Sequence, residues 1–190
     1  MGIPAIDTGP MTVKEFYAFT DGRPDEEKWE LIDGEAVLNA SPSELHQRIL
    51  KNVLLAIGVR EQAAGTLWEV LPSLGVRVSD IKRPEPDLLI VPRSPSLDPT
   101  RKDRNDVLVA FEILSPSTAS RDLKWKRSAY ASLDALMHYV VIAQDTTEVI
   151  VFSRSDEFGE RRYRSVADEV VLDPPGVSLR LAEIYRNTGI

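Results

Sequence analysis

Two acidic residues stand where acids are costly. Asp87 opens the run Asp87-Leu88-Leu89-Ile90-Val91, and Glu112 lies inside Val107-Leu108-Val109-Ala110-Phe111-Glu112-Ile113-Leu114. Both runs have the length and the Val, Ile and Leu content of buried strands. Burying a carboxylate costs several kcal/mol unless it is paired, hydrogen-bonded or bound to a metal, so two acids on adjacent strands point to a divalent-cation site. A polar segment carrying Arg121, Asp122, Lys124 and Lys126 follows the second run and reads as a helix. Read alone, Pro86-Asp87 is also a common turn. Glu112, flanked by Phe111 and Ile113, has no evident pairing partner.

The rest of the chain supplies the elements that must hold these residues. Thr12-Val13-Lys14-Glu15 is a capping box opening a short helix to about Phe19. Trp29 to Ile32 and Glu35 to Leu38 flank Asp33-Gly34, the strongest short hairpin signal. Ser41-Pro42-Ser43-Glu44 reads as a second capping box with Pro42 at the first helical position. Leu45, Ile49, Val53 and Ile57 then give one apolar helical stripe that ends near Gly65. Thr66 to Leu71 and Gly75 to Val78 read as strands, and Ser94 to Asp106 as a polar loop long enough to be functional. Ser120 or Thr118 caps the next helix, which carries Leu123, Arg127 and Tyr130 along one side. Tyr139 to Ile142 has the unbroken apolar run of a central strand. Thr147 to Phe152 and Arg161 to Val166 read as a hairpin, and Leu181 to Arg186 as a short helix. This order describes an α/β domain with a mixed sheet. The expected division is a flexible N-terminus over 1–11 and one domain over 12–190.

Composition narrows the chemistry. The 190 residues, 43% of them hydrophobic, suffice for a real core. With no Cys there are no disulfides, thiolate metal sites or cysteine nucleophiles, which suits a reducing cytoplasm. No apolar run approaches the roughly 20 residues that span a bilayer, so no membrane partner is expected. The net charge of −7 resists a nucleic-acid reading, because domains that grip a phosphate backbone usually carry a basic face. Acids concentrate in Asp21 to Glu35, however, and positive charge collects in Arg121 to Arg127 and Arg161 to Arg164.

Five motifs in one order carry a resemblance. They are Trp29-Glu30-Leu31-Ile32-Asp33-Gly34-Glu35, Ser41-Pro42-Ser43-Glu44-Leu45-His46-Gln47, Pro86-Asp87, Glu112-Ile113-Leu114-Ser115-Pro116-Ser117-Thr118, and Arg121-Asp122 with Lys126 and Tyr130. Together they resemble the Uma-type restriction endonuclease family of the PD-(D/E)XK nuclease superfamily, over nearly the whole chain. The resemblance implies a restriction-endonuclease-like fold, a central mixed β-sheet flanked by helices, with a site at one edge. It implies Asp87 and Glu112 as metal ligands, with the main-chain carbonyl of Ile113 as a further one. Leu114 stands where the superfamily motif writes Lys, and Lys126 on the following helix matches the displaced lysine, with Lys124 the weaker substitute. Asp134 to His138 departs from the Gly-containing turn usual after Tyr130.

The implied activity is a Mg²⁺- or Mn²⁺-dependent DNA endonuclease that hydrolyses phosphodiester bonds with metal-activated water. Hard oxygen ligands and a phosphate-bearing substrate favour these ions over Zn²⁺. Glu35 and His46 are expected to complete the catalytic group from the hairpin and the long helix, and Asp122, four residues before Lys126, to position that lysine. Cutting both strands of a duplex is easiest with two symmetric sites, which suggests a homodimer. The alternatives are a non-catalytic nucleic-acid- or protein-binding module on the same fold, and a structural protein that keeps the acids for a salt-bridge network.

Overall fold

Thr12 does what its spacing from Glu15 predicts. Its hydroxyl accepts the Glu15 amide at 3.3 Å, and Glu15 Oε2 accepts the Thr12 amide at 2.8 Å, so helix α1 (Val13–Thr20) starts with its first donors satisfied. The hairpin follows as β1 (Trp29–Ile32) and β2 (Glu35–Leu38). Asp33 and Gly34 sit at φ 49° and 84°, the left-handed pair that a two-residue turn demands. The computed structural model describes residues 9–24, 26–63, 65–114 and 119–190.

Helix α2 (Glu44–Ala63) buries Ile49, Val53 and Ile57 completely, as its apolar stripe requires. Its cap differs from expectation. Ser43, not Ser41, accepts the His46 amide at 3.2 Å, and Pro42 therefore precedes the cap. Two serines compete for this role, and the one nearer the first helical turn holds it.

The remaining elements are β3 (Trp68–Pro72), β4 (Gly75–Val76), β5 (Leu88–Pro92), β6 (Asp103–Arg104), β7 (Val109–Leu114), α3 (Ala119–Ala131), β8 (His138–Ala143), β9 (Val149–Ser153), β10 (Gly159–Tyr163), β11 (Glu169–Leu172), β12 (Val177–Arg180) and α4 (Leu181–Ile184). Six strands form the central sheet in the order β10-β9-β8-β7-β5-β3. Within this sheet only β7 and β8 pair in parallel, and α3 is the crossover that such a pair needs. The sheet is therefore mixed, and β8 is central as its apolar run predicts.

Alternation along the strands sends side chains to two cores. Leu88, Ile90, Phe111 and Ile113 face α2, α4 and the β11–β12 hairpin, while Leu89, Val91, Ala110 and Tyr139 face Tyr130, Leu133 and Leu136. Glu112 consequently points to the α3 side. The β1–β2 hairpin and α1 make a third, smaller cluster of Val13, Phe16 and Leu31.

Two further expectations change. The stretch Gly75 to Val78 is a strand only over Gly75–Val76, which pairs with β6 inside the supposed loop. The β11–β12 hairpin has no counterpart in the sequence reading, because its strands are four residues long and flank Asp173-Pro174-Pro175-Gly176. Capping of α3 by Thr118 lies outside the described residues.

One buried side chain of α2 ties down the C-terminal segment. Asn52 on α2 donates to the Ile184 and Arg186 carbonyls at 3.0 and 2.8 Å. Asn52→Leu should leave both acceptors unpaired, at a cost of about 1–3 kcal/mol. Urea denaturation would read that loss.

Candidate functional site

Strand β5 stops hydrogen-bonding to β7 at the bond from the Asp87 amide to the Phe111 carbonyl, 3.0 Å long. Beyond it the chain turns away, and the Asp87 side chain takes over: Oδ2 accepts the Ile113 amide at 2.8 Å. The amide and carbonyl of a strand residue point the same way, so the Ile113 carbonyl also faces this vacated edge. The same carboxylate receives Lys28 Nζ on Oδ1 at 3.1 Å and His46 Nε2 on Oδ2 at 3.2 Å. His46 comes from the first turn of α2, set there by the Ser43 cap.

Glu112, on β7, points to the α3 side and lines the same cleft as Asp87. Its Oε1 accepts Lys126 Nζ at 2.9 Å and the Tyr130 hydroxyl at 3.3 Å, both from α3. Lys126 is only 8% exposed because it also pairs with Glu30 of β1 at 2.9 Å. Glu30 in turn accepts the Glu85 amide at 2.7 Å. A second tie runs alongside, from Trp125 Nε1 to Asp33 Oδ2 at 2.7 Å. The hairpin and α3 are thus clamped together over the site.

Asp87, Glu112, Lys126, His46 and Ile113 therefore converge, on one cleft of about 310 Å³ that Lys28 and Gln144 also line. Glu35 is not among them. It is exposed beside the hairpin turn, opposite Ile32. Two rungs of strand, about 7 Å, separate it along the ladder from the position of Glu30. Lys124 is exposed, whereas Lys126 turns inward. The expected role of Asp122 lies outside the described residues, and the partners observed for Lys126 are Glu30 and Glu112.

Glu30 and Lys28 are the site residues that the sequence reading misses. Glu30 stands between Trp29 and Leu31, the same acid-among-apolar signal that singles out Glu112. Lys28 carries no such signal, since it borders a run of solvated charges.

The electrostatics follow from three carboxylates sharing two ammonium groups and one imidazole. Burial alone would raise the Asp87 carboxyl, but the His46 hydrogen bond, the Lys28 charge and the Ile113 amide outweigh it and hold the group well below the usual carboxylate range. Glu112 goes the other way. Burial dominates, Lys126 offsets only part of it, and the negative neighbours Asp87 and Glu30 add to it, pushing its carboxyl to about 7. Burial would lower Lys126, yet Glu112 and Glu30 raise it well above its ordinary value.

Such a site is short of positive charge at Glu112, which is the condition a bound cation would relieve. Among the described residues, no three His, Asp or Glu side chains are grouped to hold an ion. An ion here would be held by Asp87, Glu112 and the Ile113 carbonyl, an all-oxygen set suited to Mg²⁺ or Mn²⁺.

In the basic cluster Arg161 to Arg164, Arg161 is exposed on β10. Arg162 and Arg164 are tied to Glu148 at 2.9 and 2.6 Å. Among the described residues no helix is long and apolar enough to cross a membrane.

Three comparisons bear on this arrangement. The family model Uma2, described as "Putative restriction endonuclease", matches residues 13–182. No curated protein matches the chain significantly. The chain is similar to the crystal structure of a "putative nuclease belonging to DUF820" from Anabaena variabilis, with TM-score 0.74 and 16% identity, covering 93% of this chain and 98% of that one. At that identity the likeness shows the fold alone.

Proposed function

The chain belongs to the Uma2 family, whose model is described as "Putative restriction endonuclease", and from that premise we propose that it is a Mg²⁺- or Mn²⁺-dependent DNA endonuclease. The observation that carries the reading is the meeting of Asp87, Glu112 and the Ile113 carbonyl at an open cleft whose carboxylates outnumber its ammonium groups. When bound there, a divalent ion supplies Lewis acidity toward the attacking water and the leaving oxygen of a phosphodiester.

The protein's own side chains divide the remaining work. His46 and the Ile113 amide hold Asp87 ionised and oriented. Lys126, enclosed by Glu30 and Glu112, fixes the Glu112 side chain and neutralises buried charge. Lys28 has a side chain 29% exposed at the rim beside Asp87, so it is the lysine placed to meet a phosphate oxygen of the substrate. A homodimer would bring two such clefts to the two strands of a duplex.

The ion pairs that both acids already make favour a second reading, a non-catalytic nucleic-acid- or protein-binding module on the same fold. Calorimetric titration with Mn²⁺ separates the two. The nuclease should bind Mn²⁺ and cut plasmid DNA in Mg²⁺ or Mn²⁺ but not in EDTA. No Mn²⁺ binding would favour the binding module. Cleavage that survives Asp87→Ala together with Glu112→Ala would sink the assignment.

A further inference from the structure

A second cavity, of about 450 Å³, opens beside the cleft between the end of α1, β1 and residues 101–102. Ser73 and Glu85 line both, so the two cavities lie side by side. The chain as a whole is acidic, yet this cavity is lined by Arg23, Arg83, Arg101 and Lys102.

Two of these cations are already committed. Arg83, 6% exposed, forms the floor: Nη1 donates to Glu85 at 2.6 Å and Nη2 to the Lys102 carbonyl at 2.9 Å. Gly75 makes room for it, since a Cβ there would fall 2.1 Å from Arg83 Nε. Lys102 pairs with Asp21. The third acid of the lining, Glu27, accepts Trp29 Nε1 at 2.7 Å.

Arg23 and Arg101 are different. Both are exposed, and among the described residues neither makes an ion pair. The Arg23 guanidinium lies 4.5 Å from the Phe19 ring centroid and 5.5 Å from that of Trp29. These cation–π contacts hold the guanidinium while leaving its donors unclaimed, an arrangement suited to phosphate oxygens.

We infer that this cavity is the subsite for the nucleic-acid strand next to the scissile phosphate, with Arg23 and Arg101 contacting its backbone. The inference rests on the nuclease reading, and its test is chosen to fail separately. The affinity of a fluorescent DNA duplex for the full chain would be measured by anisotropy in EDTA across a range of salt concentrations. Arg23→Gln with Arg101→Gln should weaken binding roughly ten-fold at low salt and reduce the slope of log affinity against log salt by about 2, one unit per lost phosphate contact. Mn²⁺ affinity should not move. Arg161→Gln, on the exposed edge strand β10 at the end of the sheet away from β3, should change neither quantity.

An unchanged slope in the double variant, an equal loss in Arg161→Gln, or no duplex binding by the wild type would each overturn the inference. If the double variant shows the expected slope but the wild type never cuts DNA, the nuclease reading fails and the cavity stands as a nucleic-acid contact.

Discussion

Lys126→Met should be the most destabilising single change in the site, lowering the free energy of unfolding by about 3–5 kcal/mol. That is a large share of the roughly 5–15 kcal/mol that holds a typical domain together. Removing the ammonium leaves Glu30 and Glu112 both buried, 2% and 6% exposed, with no cation between them. Burial already drives Glu112 toward its neutral form, so the variant should take up protons and recover part of its stability in acid. Urea denaturation at pH 8 and pH 6 tests this. A Lys126→Met protein with wild-type stability at pH 8 would show that the lysine is not the counter-ion of the pair. Adding Glu30→Gln should restore a good part of the loss, because one of the two stranded charges is then gone.

Glu112→Gln should separate activity from stability. If Glu112 is one of two acidic metal ligands, as proposed, its loss should cut plasmid cleavage by about a thousand-fold, the rate equivalent of several kcal/mol. The folded protein should not suffer in proportion. Its Glu112 carboxyl titrates at about 7 against an ordinary 4.5, so between these values the native state holds a proton that the unfolded chain has released. Stability from this group is therefore full below about pH 4.5 and is lost as pH rises through 7, by at most about 1.4 kcal/mol per unit. Glutamine mimics the protonated form and removes that slope. His138, which burial lowers, contributes the opposite trend. The comparison is therefore the difference between wild type and variant in EDTA from pH 5 to pH 8. Wild-type and Glu112→Gln curves that run parallel would contradict the assignment of the proton to Glu112.

How much of the site could be read in one dimension depended on whether each residue contrasts with its neighbours. Asp87 and Glu112 interrupt apolar runs, and such interruptions survive folding because a buried strand leaves an acid few alternatives. Glu30 shows the same contrast over a shorter span, but it lies within an acidic stretch where charge is expected to be solvated. Only the packing of the hairpin against α3 makes it an interior residue. Glu35 has the opposite history: it shares the hairpin motif, yet its place beside the turn leaves it exposed. Lys28 and the basic cavity depend on loops meeting across the fold, with Arg23 and Arg101 far apart in the chain. The central strands were legible from their apolar runs, and helix α2 from its periodic stripe. The β11–β12 hairpin was not, since four-residue strands leave too few positions for alternation to register.

One rung of the β7 ladder is an ionisable group. Where a neighbouring strand would offer the Ile113 amide a carbonyl, Asp87 offers a carboxylate. A main-chain bond within the sheet is thereby made sensitive to whatever draws on that carboxylate, whether a proton, an ion or an approaching phosphodiester. The Ile113 amide resonance is in effect a gauge wired into the backbone, reading occupancy of the cleft without a label on either substrate or protein side chain.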